Sequence, residues 1–317
     1  MRKIALEEHF TTPELAERFV HRPTRSETRF ADVKRRLADF DGLRLETMDR
    51  AGIDLAVLSV AGPGAQAERD AKLATRLARE SNDMLAREVR KRPDRYAGFA
   101  HLAMQDADAA TDELQRTIRD LGFKGALING QTGGHYLDED RYLPFWERVQ
   151  DLDVPVYLHP GDMVDHPAMF ADRPELNGAT WAWTVETATH ALRLVFGGTF
   201  ARFPKLKVIL GHMGETLPFL PWRFDSRRQF FVGESLPREQ LPSEIIKRHF
   251  AVTTSGVCAA APLAAALAAV GEDNVMFSVD YPYEDMEIAG AFADAAPVGE
   301  DMRAKLCHRN AERLLRL

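Results

Sequence analysis

Short apolar runs alternate with longer stretches of helical periodicity along this chain. The short runs are rich in β-branched and aromatic residues, as buried strands are, whereas the longer stretches repeat apolar residues every three or four positions, as helices do. The runs predict eight strands, at residues 3–8, 55–60, 96–101, 123–129, 154–159, 206–212, 250–255 and 274–280. Helices are predicted between them, for example at residues 68–91, 107–120, 142–152, 181–196 and 243–248, with a last one at 303–315.

This alternation is typical of an α/β fold built from βαβ units. Eight strands, each followed by helical sequence, predict a (β/α)₈ barrel of the TIM type, and a doubly wound sheet is the alternative. A doubly wound nucleotide-binding sheet would carry a glycine-rich turn after the first strand, but Glu7, Glu8 and His9 stand there, and no phosphate-binding P-loop is present. We therefore predict a single barrel domain over residues 1–317, with an excursion after the first strand at residues 11–43.

The excursion is long and rich in arginine. Its residues His21, Arg22 and Arg25 are predicted to be solvated, with a lid or a subunit contact as the alternative.

Polar side chains stand where four of the predicted strands end: Glu7, Glu8 and His9 on strand one, His159 on strand five, His212 on strand six and Asp280 on strand eight. Glu7 and His9 share one face of the first strand because side chains alternate, while Glu8 points away. With His159 and Asp280 they present two imidazoles and two carboxylates at the carboxyl ends of strands one, five and eight. A nitrogen and oxygen ligand set of this kind suits Zn²⁺, Mn²⁺ or a similar divalent ion with positions open to substrate or water. The alternative is that these groups only form hydrogen bonds at the barrel rim.

The charge, the cysteine content and the apolar runs of the chain limit the partners and the location that we expect for it. The chain has 41 Lys plus Arg against 48 Asp plus Glu, a formal charge of −7, which gives no general attraction to nucleic acid or to an anionic membrane. Two cysteines, Cys258 and Cys307, do not form a thiolate zinc site or a disulfide framework. The run at 257–270 is short and contains Pro262, and the first residues do not form a signal peptide. We expect a cytoplasmic protein without nucleic-acid or membrane partners and without an organic cofactor.

Six stretches of the sequence carry a resemblance to a known family: ALEEHF at 5–10, GFKGALING at 122–130, LDVPVYLHP at 152–160, LGHMGE at 210–215, WRFD at 222–225 and FSVDYP at 277–282. In this order they are similar to the metal-dependent amidohydrolase superfamily, and within it to the nonoxidative aromatic acid decarboxylases of the γ-resorcylate (2,6-dihydroxybenzoate) type. The chain departs from that pattern at Gly161, where relatives often carry arginine, and in a short loop after Asn129.

The resemblance implies an activity and assigns roles within it. The implied reaction is divalent-metal-dependent decarboxylation of an ortho-hydroxybenzoate, such as 2,6-dihydroxybenzoate, to a phenol and CO₂, in a homodimer or homotetramer. The implied roles are metal ligation by Glu7, His9, His159 and Asp280, a catalytic pair of His212 and Glu215, and a substrate carboxylate near Arg223. Asn129 and Phe10, at the ends of strands four and one, are further candidate substrate contacts, and Asn129 could equally form the turn.

The chemistry that such a site needs is simple. A proton added to the ring carbon that bears the carboxylate allows CO₂ to leave without a redox cofactor. Asp280 is the candidate proton donor, and His212 with Glu215 would orient the substrate hydroxyl. The same site could instead activate water, with Asp280 as general base, in a hydrolase of a lactone or an amide. A noncatalytic metal-binding or aromatic-ligand-binding protein is the third hypothesis.

Overall fold

The strands of the computed structural model run parallel and close into a barrel. The structure describes residues 1–18, 26–165 and 167–317, so His21, Arg22 and Arg25 lie outside the described residues. The strands are Ile4–Phe10, Leu55–Val60, Tyr96–Gly98 continued by Ala100–His101, Ala126–Asn129, Val156–His159, Val208–Leu210, Phe250–Thr253 and Val275–Met276. A parallel bridge between Glu8 and Tyr281 joins the last strand region to the first. The prediction of a (β/α)₈ barrel is therefore confirmed.

Helices follow the strands and cover the barrel. Their bounds are Pro13–Glu17, Glu27–Leu37, Leu43–Ala51, Ala71–Lys91, Ala107–Arg119, Leu143–Leu152, Ala182–Phe196, Thr199–Arg202, Pro221–Val232, Pro242–His249, Ala260–Val270, Met286–Ala295, Glu300–Ala304, Lys305–Arg309 (a π-helix) and Asn310–Leu315. Pro262 of the run 257–270 lies in the first turn of the helix Ala260–Val270, where proline is tolerated. In the described parts of the chain, no helix combines the length and the apolar character that crossing a bilayer requires.

The barrel is closed at its amino end. Side chains that point inward, among them Leu6, Val57 and Phe99, form a compact apolar cluster with Ala311 and Leu315 of the last helix. At the carboxyl end, Val33 and Leu37 of the helix Glu27–Leu37 pack on Ala61 and Tyr283, which follow strands two and eight. The excursion therefore lies over the mouth of the barrel, as predicted, and a site inside the barrel opens only toward this end.

The first strand contains a β-bulge between Ala5 and Glu8, where its register against the second strand shifts. Ile4 and Leu6 both point into the barrel interior. Regular alternation would then turn residue 8 inward, but the extra residue of a bulge re-aims the strand beyond it. Glu7 and His9 point inward as a result, and Glu8 points to the other face.

Candidate metal centre

Four predicted side chains converge at the mouth of the barrel. Glu7, His9, His159 and Asp280 each offer one ligand atom, and these atoms lie within 4.8 Å of one another. His159 Nε2 is 3.2 Å from Glu7 Oε1, and His9 Nε2 is 3.3 Å from Asp280 Oδ1. Glu7, His9 and His159 are buried, whereas the Asp280 side chain is partly exposed. The strands thus bring together all four residues predicted to bind a metal.

The donor atoms of this group fit a divalent cation. Glu7 Oε1 and His9 Nε2 are buried and have no hydrogen-bond partner among the described residues, which is costly unless an ion or a ligand meets them. Burial raises the pKa of Glu7, but the neighbouring charges of His212 and His159 outweigh it and hold that pKa well below its usual value. Burial lowers the pKa of His9. An ionised carboxylate and a neutral imidazole are the forms that bind metal.

Hydrogen bonds on the far side of each ring orient the two imidazoles. Ser59 Oγ lies 3.1 Å from His9 Nδ1, and the Pro160 carbonyl oxygen lies 2.9 Å from His159 Nδ1. A partner at Nδ1 fixes the ring so that Nε2 faces the centre, as is usual for histidines that bind metals.

A chain of hydroxyl groups beneath the centre holds Glu7. The Tyr157 hydroxyl donates to Glu7 Oε2 and lies 2.8 Å from Thr253 Oγ1. Thr253 Oγ1 is 3.0 Å from Ser255 Oγ, which accepts the backbone N–H of His212 at 3.0 Å. The chain occupies one Glu7 oxygen and leaves the other for the centre. Tyr157 was not among the predicted site residues, although it stands two residues before His159 and must therefore share its face of the strand.

Gly211 makes room for this hydroxyl chain. A Cβ atom at position 211 would lie 2.7 Å from Glu7 Oε2 and 3.0 Å from Ser255 Oγ. Any other residue would displace the carboxylate or the hydroxyl.

His212 and Glu215 form a second polar pair, in a left-handed turn. All five residues from His212 to Thr216 have positive φ angles, from 50° to 81°, and only Gly214 adopts this conformation without strain. Each non-glycine residue in it costs about 1–2 kcal/mol, which the surrounding packing must offset. The turn brings His212 Nδ1 to 2.6 Å from Glu215 Oε1, and Thr184 Oγ1 donates to the other Glu215 oxygen at 2.9 Å.

The free edge of the His212 ring faces the centre. Its Nε2 lies 3.7 Å from Glu7 Oε1 and 3.8 Å from Asp280 Oδ2, which is beyond hydrogen-bond distance. Burial lowers the pKa of His212, but the charges of Glu215 and Glu7 outweigh it and raise that pKa well above its ordinary value. The pair therefore presents a proton-bearing nitrogen to whatever occupies the mouth.

The three predicted substrate contacts differ in where they lie. Asn129 pairs in register with His159, and its Oδ1 is buried without a partner among the described residues. Phe10 faces away from the centre, because it packs against Phe40 at 5.5 Å between ring centres. Arg223 is exposed and makes no hydrogen bond or ion pair with any residue that the structure describes. Only Asn129 lies beside the centre within this chain, and the prediction for Phe10 has no support in its packing.

Comparisons with known proteins agree with this architecture. Residues 9–317 match a family model described as "Amidohydrolase". The chain is 41% identical over 326 residues to γ-resorcylate decarboxylase of Rhizobium sp. (strain MTP-10005), covering 99% of this chain and 98% of that one. It is also similar to a crystal structure of 2,6-dihydroxybenzoate decarboxylase with 2,6-dihydroxybenzoate bound, with 41% identity, a TM-score of 0.94 and all of both chains covered.

A third similar protein contains a metal. The dihydroxybenzoic acid decarboxylase of Polaromonas sp. JS666, solved with manganese and the inhibitor 2-nitroresorcinol, has a TM-score of 0.91 and 39% identity over 99% of this chain and 97% of that one. These relatives are carboxy-lyases whose fold this chain shares over its full length.

Proposed function

Because this chain belongs to the amidohydrolase family, we propose that it is a divalent-metal-dependent carboxy-lyase that removes CO₂ from an ortho-hydroxybenzoate such as 2,6-dihydroxybenzoate. The observation that carries the proposal is the group of Glu7, His9, His159 and Asp280 at the mouth of the barrel, close to His212 Nε2. Within this group, Glu7 Oε1 and His9 Nε2 are buried without a hydrogen-bond partner among the described residues. Residues 1–317 would act as a single barrel domain.

The four residues of the group would hold one Mn²⁺ or Zn²⁺ ion. When bound, the ion would supply positive charge to the carboxylate and the ortho-oxygen of the substrate and so fix the ring. Two of the ligand side chains are already oriented for metal binding, because Ser59 holds the His9 ring and Tyr157 holds the Glu7 carboxylate.

Asp280 would deliver the proton. Its side chain is 15% exposed and reaches the mouth, where an aromatic ring must lie. The Asp280 side chain takes up a proton from water at the mouth, and the carboxyl group so formed transfers that proton to the ring carbon that bears the carboxylate. The bond between that carbon and the carboxylate then breaks, its electron pair returns to the ring, and CO₂ leaves. One proton replaces one CO₂, so the reaction needs no oxidant or reductant.

His212 would bind the substrate hydroxyl through Nε2. Glu215 holds the ring by its Nδ1 atom and stabilises positive charge on it, while Thr184 fixes Glu215. Asn129 remains a candidate contact for a second hydroxyl because its Oδ1 lacks a partner. Arg223 could bind the substrate carboxylate only if its helix moved toward the mouth of this barrel, or if it reached the mouth of the barrel of a neighbouring chain.

Product analysis in heavy water tests the proposal. Enzyme loaded with Mn²⁺ is incubated with 2,6-dihydroxybenzoate, other dihydroxybenzoates and salicylate in D₂O, and CO₂, acid loss and the phenol are measured. We expect equal amounts of CO₂ and phenol, with one deuterium at the carbon that carried the carboxylate. Asp280→Asn should abolish the reaction, whereas Asp285→Asn, a change at the N-cap of the helix Met286–Ala295, should not.

The hydrolase is the alternative that the same experiment can reveal. If lactones or amides are consumed in ¹⁸O-labelled water with label in the product, and no hydroxybenzoate loses CO₂, the decarboxylase proposal is wrong.

The predicted homodimer or homotetramer is tested separately, by measuring the mass of the protein in solution by light scattering. The helix Pro221–Val232, which exposes Trp222, Phe230 and Phe231, is the surface to alter in that measurement.

A further inference from the structure

Glu8 is a buried carboxyl group that the proposed reaction does not use. It is 0% exposed and, because of the bulge, lies on the opposite face of the first strand from Glu7 and His9. Its oxygens meet backbone amides of the segment after the last strand. Val279 N–H donates to Oε1 at 3.0 Å and Tyr281 N–H donates to Oε2 at 3.3 Å. Those two amides flank Asp280.

The amide between them is also bound to the first strand. Asp280 N–H donates to the Glu7 carbonyl oxygen at 3.1 Å, so three successive N–H groups turn toward Glu7 and Glu8. Asp280 itself has a φ angle of 83°, in the left-handed region that favours glycine. Successive amides around a left-handed residue form a concave site for an anion, and here the Glu8 carboxylate fills it.

Two further side chains tie Glu8 to both segments. Ser278 Oγ donates to Glu8 Oε1 at 3.3 Å and accepts Glu7 N–H at 2.7 Å. The Arg44 guanidinium donates to the His9 carbonyl oxygen at 2.5 Å and lies 4.5 Å from the centre of the Tyr281 ring, so it links the first strand to the segment after the last one. The backbones of Glu7, His9 and Asp280 are thus held by one buried cluster.

We propose that Glu8 is a positioning residue that holds Asp280 in the orientation the metal centre requires. Both Glu8 oxygens are occupied by backbone amides on the face away from the centre, so Glu8 is not itself a ligand. The left-handed conformation of Asp280 is unfavourable for a residue with a side chain, and the bonds from Glu8 to the amides on either side stabilise it. This inference rests on the metal site of the proposed function, and it adds Glu8 to the residues that hold the metal ligands in position.

Metal binding by Glu8→Gln tests this role without any substrate. The glutamine side chain keeps the shape of Glu8 but turns one acceptor into an NH₂ group that faces an amide donor, so at least one of the two flanking bonds is lost. We expect the Mn²⁺ dissociation constant, measured by titration calorimetry, to rise about 10- to 100-fold, as it does when residues that support metal ligands are altered. The Mn²⁺ EPR spectrum should broaden. At saturating Mn²⁺, kcat should fall more than KM changes.

Glu113→Gln is the matched control. Glu113 is also a buried glutamate with two partners, Asn82 and Arg116, but these lie on helices outside the barrel. Glu113→Gln should lower the unfolding temperature and leave the Mn²⁺ dissociation constant within about twofold of the wild-type value. If Glu8→Gln does not fold, Glu8→Asp replaces it, because the shorter side chain keeps the carboxyl group but cannot reach both amides.

The possible outcomes separate this inference from the proposed function. Unchanged Mn²⁺ affinity and EPR spectrum in a folded Glu8 variant, with only a lower unfolding temperature, would overturn the positioning role. If the variant binds Mn²⁺ weakly as expected but wild type decarboxylates no hydroxybenzoate, the positioning role stands and the proposed reaction is wrong.

Discussion

Replacement of His212 by alanine separates catalysis from metal binding at this centre. The imidazole makes one strong bond, to Glu215, and its Nε2 is 3.7 Å or more from the carboxylates of the metal group, so it is free to bind substrate. Glu7 is held in place by Tyr157, and the amides flanking Asp280 are held by Glu8, so the positions of both ligands do not depend on the His212 ring. A bound divalent ion would supply the positive charge beside Glu7 that His212 supplies without it. The metal should therefore stay bound when the ring is removed.

The loss of rate should be large. Groups that manage a proton or orient a reacting hydroxyl typically contribute about 10²- to 10⁴-fold, which corresponds to about 3–5 kcal/mol in the activation barrier. Glu215→Gln should lower the decarboxylation rate less than His212→Ala does. The glutamine amide oxygen still accepts a hydrogen bond from His212 Nδ1, so only the carboxylate charge is lost.

Single-turnover decarboxylation and metal content, measured on the same samples, provide the test. His190→Gln is the matched control, since His190 is a buried histidine whose Nε2 accepts the Leu137 N–H away from the centre. It should keep near-normal turnover per folded molecule. Loss of the metal in His212→Ala would make His212 a ligand and refute the division of roles, and near-normal turnover would make it structural.

Three other changes test separate parts of the structure. His159→Ala should lower Mn²⁺ content and turnover together in a folded protein, and full metal retention would remove His159 from the centre. If a neighbouring chain or a movement of its helix brings Arg223 to the substrate, Arg223→Lys should reduce kcat/KM for carboxylate substrates with little change in stability, because lysine lacks the paired donors of arginine, and unchanged efficiency would exclude Arg223 from the site. Burial raises the pKa of Glu186 from 4.5 to about 8, so the unfolded chain binds fewer protons between these values and stability falls as pH rises through them. Glu186→Gln should flatten that decline in urea unfolding at pH 5 and pH 8, and an equal slope in both proteins would contradict the shift.

Much of the site could be predicted because strand ends in a parallel barrel share one mouth. Glu7, His9, His159 and Asp280 follow apolar runs in which polar residues are conspicuous, and side-chain alternation sets the face that each residue occupies. The second strand was predicted with its observed bounds, Leu55–Val60. The last strand was predicted too long, because after Met276 the chain is held by side-chain and loop hydrogen bonds instead of a regular ladder.

Other features depend on tertiary contacts that local sequence does not reveal. Tyr157 stands in an apolar strand and reads as a core residue, since only its position beneath Glu7 gives its hydroxyl a role. The left-handed turn after Gly211 contains a single glycine among its five positive-φ residues, so propensity does not indicate it. Phe10 was predicted to contact the substrate from the end of strand one, but it is adjacent to His9, and neighbouring residues of a strand face opposite sides.

The bulge in the first strand bears on how such a site could arise and be lost. Ile4, Leu6, Glu7 and His9 all face the interior only because one residue is additional to the regular repeat. Beyond the bulge, the face that each side chain occupies is set by pairing with the second strand, Glu8 with Leu58 and His9 with Ser59, and not by distance from Ile4. A strand without Leu6 would alternate regularly and would still turn Glu7 and His9 inward. The additional residue therefore lets the apolar first half of the strand and its metal-binding second half change in sequence independently of each other.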